Sequence, residues 1–137
     1  MNTRISYQYR DGANNKTGME VILAGAPDAD LMQSIIAAMD CDGGGGVPSF
    51  IPGQVGLPDL QNNFQGDTQW DEGIDHPWHE LIDIWRTRAE PTVGMTMAEL
   101  ASKMQAVTWD PGYLPPFHDE MVRNRERALA ESTGPDL

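Results

Sequence analysis

The chain has 137 residues, a size that fits one domain with a real core, and its 21 acids against nine bases give a formal net charge of −12. This acidic balance disfavours direct binding of DNA or RNA, and no apolar run is long enough to cross a membrane. The N-terminus lacks the apolar segment of a signal peptide, and the single cysteine, Cys41, cannot form an internal disulfide, so we expect a cytoplasmic protein.

The first predicted elements are two strands joined by a loop. Residues 4–10 alternate apolar and polar side chains with the period of a half-buried strand. Residues 18–25 form a second strand that is richer in aliphatic side chains, and residues 11–17 between them tolerate a positive φ. We therefore predict a β-hairpin, which needs a third strand or a second subunit because two strands alone are marginally stable.

A helix and a proline-rich segment follow the hairpin. Pro27 and Asp28 are helix start signals, and apolar residues recur at helical spacing as far as Asp40. The four glycines Gly43–Gly46 then predict a flexible linker. Prolines exclude a regular helix from residues 47–60, and Phe50-Ile51 is predicted to complete the sheet at an edge.

The second half of the chain, after a polar loop at residues 61–73, is predicted to be mainly helical. Asp75 and Pro77 signal the start of a helix, Thr96 and Glu99 form a capping box before another, and a last helix begins near Pro116. The first of these helices has an apolar face with i, i+3, i+4 and i+7 spacing, formed by Trp78, Leu81, Ile82 and Trp85.

These elements predict an α+β fold, with a small antiparallel N-terminal sheet and a helix followed by a helical C-terminal half. Residues 1–131 are predicted to form a single domain, in which residues 1–60 hold the hairpin, the helix and the Pro/Gly loop, and residues 61–131 are mainly helical. Residues 132–137 are predicted to be a disordered tail.

The excess negative charge lies in the middle of the chain. Residues 17–85 contain twelve acids and no lysine or arginine, whereas the nine acids elsewhere balance nine bases. The field of such a segment keeps a protein soluble and attracts basic partners. One hypothesis for the function is therefore an acidic interaction module, in the extreme a DNA mimic, that blocks a basic protein surface.

Two histidines are weak candidates for metal ligands. His76 and His79 are three residues apart on the predicted helix, so both imidazoles can point at one ion. The spacing differs from the H-E-x-x-H motif of zinc proteases, and no set of nucleophile, base and orienting group can be assembled. The sequence therefore predicts no catalytic residue and no cofactor, and a metal-dependent hydrolase ranks third among the hypotheses.

Cationic and amide side chains cluster near the hairpin loop, beside two tyrosines. Such groups bind anions, and aromatic rings stack on planar groups. Arginines of the last helix are expected to complete this site across the interface of a homo-oligomer, although local ion pairs are the alternative. The ligand is predicted to be a small anion such as a nucleotide. The predicted site comprises Tyr7, Tyr9, Arg10, Asn14, Lys16, Arg123 and Arg127.

Three stretches within the first 85 residues resemble short bacterial and phage proteins to which no activity is assigned. They are Tyr9-Arg10-Asp11 followed by Asn14 and Lys16, the sequence FIPGQVGLP at residues 50–58, and DHPWHEL at residues 75–81. The chain differs from that form in its four glycines and its longer helical C-terminus. Small acidic α+β phage proteins often act against host defence, some as oligomers that sequester cyclic nucleotides. The resemblance therefore implies a counter-defence factor that sequesters a nucleotide-like signal.

Overall fold

A computed structural model describes residues 1–11, 14–41, 47–61 and 76–132. Within these ranges, four strands form one antiparallel sheet in the order β2-β1-β4-β3. The strands are β1 (Asn2–Arg10), β2 (Lys16–Leu23), β3 (Ser49–Phe50) and β4 (His79–Thr87). The helices are α1 (Ala29–Ala37), α2 (Met97–Ala106) and α3 (His118–Ser132), and a 3-10 turn spans Pro52–Val55. The fold is therefore mixed α+β.

The predicted N-terminal hairpin is confirmed. Side chains of β1 alternate between the core and the outer face, so Ile5, Tyr7 and Tyr9 are almost fully buried. β2 runs antiparallel to β1 with Ile5 opposite Val21, which lies in the same core. Asn14 turns the chain with a φ of 67°, in the left-handed region that asparagine tolerates better than most residues.

The segment that was predicted as a helix from Asp75 to Trp85 is instead a strand in its described part. β4 pairs with β1 between Glu80 and Thr87 and therefore lies inside the sheet rather than against it. Asp75, the predicted cap, lies outside the described residues. The C-terminal half is consequently less helical than predicted.

A β-bulge in β4 explains its misleading pattern. Tyr7 lies opposite Leu81 and Ser6 lies opposite Asp83, so Ile82 is an extra residue between two registers. The bulge reverses which side chains face the core. As a result Ile82 and Trp85 are 57% and 51% exposed, although both belonged to the predicted apolar face of a helix.

The prediction that Phe50-Ile51 completes the sheet at an edge is confirmed for Phe50. β3 pairs with β4, with Phe50 opposite His79, and Ile51 follows as a buried residue that leads into the 3-10 turn. The short edge strand places Ser49 beside Glu80, which is important for the site described below.

α1 and α2 begin directly after the residues that were predicted to start them, Asp28 and Thr96. Asp28 accepts hydrogen bonds from the first-turn N–H groups of α1, and Thr96 accepts one from Glu99 N–H at the start of α2. Ile35 of α1 and Leu100 of α2 share one apolar core with the strands. α3 begins two residues after Pro116.

No helix in the described ranges combines the length and the apolar character needed to span a membrane. Three further predictions fall on residues outside those ranges, namely the linker at Gly43–Gly46, residues 62–73 of the polar loop and residues 133–137 of the tail.

Candidate functional site

A cavity of about 560 Å³ lies at the C-terminal end of β1, and we call it the Arg10 pocket. It is lined by Arg10, Asp11, Val47, Ser49, His76, Trp78 and Glu80. Three segments meet here: the end of β1, the chain entering β3 and the chain entering β4. The volume falls within the range of about 300–1,000 Å³ that is typical of small-molecule sites.

Arg10 supplies the positive charge of the pocket. Its Nη2 atom lies 3.4 Å from Glu80 Oε1, and its Nη1 atom donates a hydrogen bond to Asn14 Oδ1. The distance to Glu80 exceeds the roughly 2.7–2.9 Å of a strong charge-assisted hydrogen bond. The guanidinium has five N–H donors, so these contacts leave donors that can face a ligand.

The two carboxylates of the pocket are already hydrogen-bonded to neutral donors. Glu80 accepts from Gln8 Nε2 at 2.7 Å. Asp11 accepts from the backbone N–H of Asn15 at 2.8 Å and from Asn15 Nδ2 at 3.1 Å. Asp11 is thereby directed toward the hairpin loop, with both of its oxygens hydrogen-bonded, whereas Glu80 accepts through Oε1.

His76 joins the end of β1 to the start of β4 through its ring. Its Nε2 atom donates to the carbonyl of Arg10 at 2.8 Å, and its Nδ1 atom accepts from the backbone N–H of Trp78 at 3.1 Å. A carbonyl only accepts and an N–H only donates, so these two partners define the neutral tautomer that carries its proton on Nε2. The ring thus positions both Arg10 and Trp78 around the pocket.

His79 is completely buried beneath the pocket. Its Nε2 atom accepts from the backbone N–H of Leu60 at 3.0 Å, and its Nδ1 atom donates to the carbonyl of Pro77 at 2.9 Å. Desolvation lowers the pKa of His79 to about 4, although the Pro77 carbonyl acts in the opposite direction. The imidazole is therefore neutral at pH 7 and acts as a structural crosslink.

The structure does not place the two histidines on a common helix, the arrangement from which their metal site was predicted. The helix that would have aligned them is absent, and the acceptor nitrogen of each ring is occupied by a backbone N–H. Across the described ranges, no group of three or more His, Cys, Asp or Glu side chains is placed to hold a metal ion. A metal would have to displace hydrogen bonds that hold β4 in place.

The tyrosines of the predicted ligand site lie in the core. Tyr7 and Tyr9 are each 1% exposed, so neither ring is available to stack on a ligand. The Tyr7 hydroxyl donates to the carbonyl of Pro58 at 2.6 Å, and burial raises the pKa of that hydroxyl. Tyr9 packs against His76 and His79, with ring centroids 5.1 and 5.0 Å apart. Tyr9 therefore contributes to the pocket by packing against His76, which lines it.

The remaining predicted site residues separate into two groups. Asn14 contacts Arg10, and Lys16 lies opposite Arg10 in the β1–β2 register. Arg123 and Arg127 lie on α3, from which no described residue lines the Arg10 pocket. Their participation across a subunit interface stays a prediction.

Sequence reasoning missed several residues that line the pocket. Trp78 and Glu80 were assigned to a helix, and Ser49 and Val47 were assigned to a structural loop. The available signal was the density of polar and aromatic side chains in residues 76–80, the segment in which the chain enters the sheet.

A second cavity, of about 590 Å³, contains the half-buried carboxyl group of Asp59. Asp59 Oδ1 accepts from the N–H of Gly53, and its Oδ2 accepts from the Tyr113 hydroxyl, both at 3.0 Å. Desolvation raises the pKa of Asp59, while the two hydrogen bonds act against this shift. Burial and the Asp59 charge raise the pKa of Tyr113 to about 12. These contacts hold residues 110–113 against the 3-10 turn.

Searches against protein families, curated proteins and solved structures found no match for this chain. The proposals below therefore depend on the geometry of the chain itself.

Proposed function

We propose that this chain is a non-enzymatic binding protein that holds a small planar anion, of the nucleotide type, in the Arg10 pocket. The observation that carries the proposal is an arginine whose contacts with the described residues leave donors unused, next to a tryptophan, in a cavity of about 560 Å³. Phosphate and carboxylate groups match the fork of a guanidinium, which binds them through two parallel hydrogen bonds.

Trp78, which lines the pocket, would stack on a planar ligand in the way that the sequence had predicted for Tyr7 and Tyr9. It is half-buried, and its ring is held edge-to-face against Trp109, with centroids 6.2 Å apart and an angle of 62° between the planes. A ring that is fixed in this way loses little conformational freedom when a planar ligand contacts it. Arg10 and Trp78 together therefore suit a ligand with an anionic group and a flat ring system.

The hydrogen bonds of the pocket favour an anion over a cation. Asp11 accepts hydrogen bonds from Asn15 through both of its carboxylate oxygens, and Glu80 Oε1 accepts one from Gln8, whereas Arg10 keeps donors unused among the described residues. In the setting implied by the resemblance to phage proteins, such a protein would sequester a nucleotide signal without converting it.

Calorimetric titration with a panel of mononucleotides and cyclic nucleotides tests the proposal. We expect one ligand class to bind, and we expect Arg10→Gln to weaken its binding by about tenfold or more, since it removes a charge-assisted bond worth about 1.5–3 kcal/mol. Arg86→Gln is the matched control because Arg86 lies over Trp85, away from the pocket. The absence of binding across the panel, or equal losses in both variants, would contradict the proposal.

An acidic interaction module is the second candidate, and exposed carboxylates favour it. Glu20 and Asp83 flank β1 on the outer face of the sheet, opposite Ser6 from either side. Both are at least half exposed, and the single cation of Arg4 lies 3.9 and 3.3 Å from them. We expect a basic partner bound on this face to dissociate steeply as the salt concentration rises. A pull-down at increasing ionic strength measures this, and a complex that is insensitive to salt would exclude the module.

A further inference from the structure

The outer edge of β2 has the properties of a symmetric pairing surface. β2 is an edge strand that pairs with β1 on one side, and in the described sheet its other side has no strand. At Ile22 the outward backbone groups are occupied, because Ile22 N–H donates to Thr92 Oγ1 and Ile22 C=O accepts from Thr92 N–H. The carbonyl of Ala24 is likewise occupied, by Met97 N–H. Residues 92–97 therefore cover the C-terminal end of this edge.

The N-terminal part of the same edge is open. In an antiparallel ladder, backbone groups of successive residues point alternately toward and away from the neighbouring strand. Since Ile22 points away from β1, so do Glu20, Gly18 and Lys16. In the part of the chain that the structure describes, no hydrogen bond occupies the outward N–H and C=O groups of these three residues.

We propose that two copies of this chain form a dimer by pairing their β2 edges antiparallel about a two-fold axis at Gly18. This is the one symmetric register that uses all three open residues of both strands. It places Lys16 opposite Glu20 of the partner subunit, and this pair occurs twice. The proposal does not depend on the ligand of the Arg10 pocket.

Charge and shape both agree with this register. Oppositely charged residues directly across an antiparallel pair stabilise it, whereas like charges destabilise it. Edge strands commonly carry charged residues that prevent association. Here Lys16 and Glu20 carry opposite charges and are each two residues from Gly18, so each faces its opposite charge in the partner subunit. Gly18 has no side chain to obstruct the axis. Met19, which is half-buried in the single chain, would be covered by the partner subunit.

Charge reversal tests the register. We expect sedimentation velocity to show a dimer with twice the 15.1 kDa chain mass at micromolar concentrations. Lys16→Glu or Glu20→Lys alone should raise the dimer dissociation constant by about tenfold or more, because each places like charges opposite each other at two positions. The double variant should restore dimerisation. An equimolar mixture of the two single variants should form a heterodimer, since only that combination pairs unlike charges at every position.

Lys103→Glu is the control, because it changes the net charge by the same amount on the exposed surface of α2. Circular dichroism of each variant verifies that the single chain remains folded. Amide hydrogen exchange gives a readout at the residues themselves, with exchange at Gly18 and Glu20 slowing as the protein concentration rises. A monomeric wild type, or a dimer that both reversals leave unchanged, would overturn the proposal.

Discussion

Replacing His79 with alanine is expected to lower the free energy of unfolding by about 4 kcal/mol at pH 7. The substitution removes a completely buried ring that packs between Tyr7 and Tyr9, at centroid distances of 6.0 and 5.0 Å. It also leaves the N–H of Leu60 and the carbonyl of Pro77 without the partners that His79 provides. Urea denaturation followed by tryptophan fluorescence measures the loss.

The same residue is expected to make the fold sensitive to acid. The folded pKa of His79 is about 4, below the value of 6.5 for an unperturbed histidine, so the folded chain favours the neutral ring. The unfolded chain therefore binds more protons between these two values, and the contribution to stability falls as the pH decreases from 6.5 through 4. The shift corresponds to about 3 kcal/mol.

His79→Gln separates this titration from packing. Glutamine can still accept a hydrogen bond from Leu60 N–H, but it does not titrate, so the change in unfolding free energy between pH 7 and pH 4 should be smaller than in the wild type. Asp59 contributes the opposite slope in both proteins, because its raised pKa makes the folded state less stable as the pH rises above the ordinary value of 3.8. An identical pH dependence in the two proteins would show that His79 does not carry the effect.

Gly53→Ala is expected to lower the free energy of unfolding by about 2 kcal/mol. An added Cβ would overlap the Tyr113 hydroxyl and the Asp59 carboxylate, so the hydrogen bond between them would have to break. Gly94→Ala is the matched control, since its Cβ would meet no atom within 4 Å in the same cavity. Thermal denaturation of the two variants measures the difference.

A double-mutant cycle with Tyr113→Phe identifies the cause. Tyr113→Phe removes the hydroxyl that a Cβ added at Gly53 would displace, so the two substitutions should cost less together than the sum of their separate effects. Strictly additive losses would mean that the alanine acts through another contact, such as the Asp59 carboxylate or the backbone of the 3-10 turn.

The elements that were predicted correctly are those whose signals are local. Alternation over residues 4–10 identified β1, and the side chains of Asp28 and Thr96 identified the starts of two helices. In each case the residues that carry the signal lie within a few positions of the backbone groups they act on.

β4 was predicted wrongly because its bulge changes the spacing of its inward side chains. His79 and Leu81 obey the two-residue period of a strand, but the extra residue at Ile82 moves the next inward position to Ile84. The predicted helical face instead combined Leu81, which packs against the core, with Ile82 and Trp85, which are exposed. Bulges depend on the partner strand, so the pattern of one segment cannot reveal them.

The Arg10 pocket was only partly predictable for a related reason. Arg10 was identified from the charges around the hairpin, but its neighbours Ser49 and Trp78 come from segments that meet it only through the sheet. Tyr7 and Tyr9 were correctly placed on one face of β1. That face is the core side, which the alternation itself does not specify, and the rings are therefore unavailable to a ligand.

The strand order has a consequence for how the chain folds. β1 ends at Arg10, yet its second neighbour, β4, begins only at His79, and β3 can join the sheet only through β4. The sheet is thus closed by contacts that are distant in sequence, and these slow folding because bringing distant segments together costs chain entropy before the contacts repay it. During synthesis one edge of β1 stays unpaired until β4 has been made. An unpaired edge can pair with a strand of another chain, so we expect aggregation to be favoured in this interval.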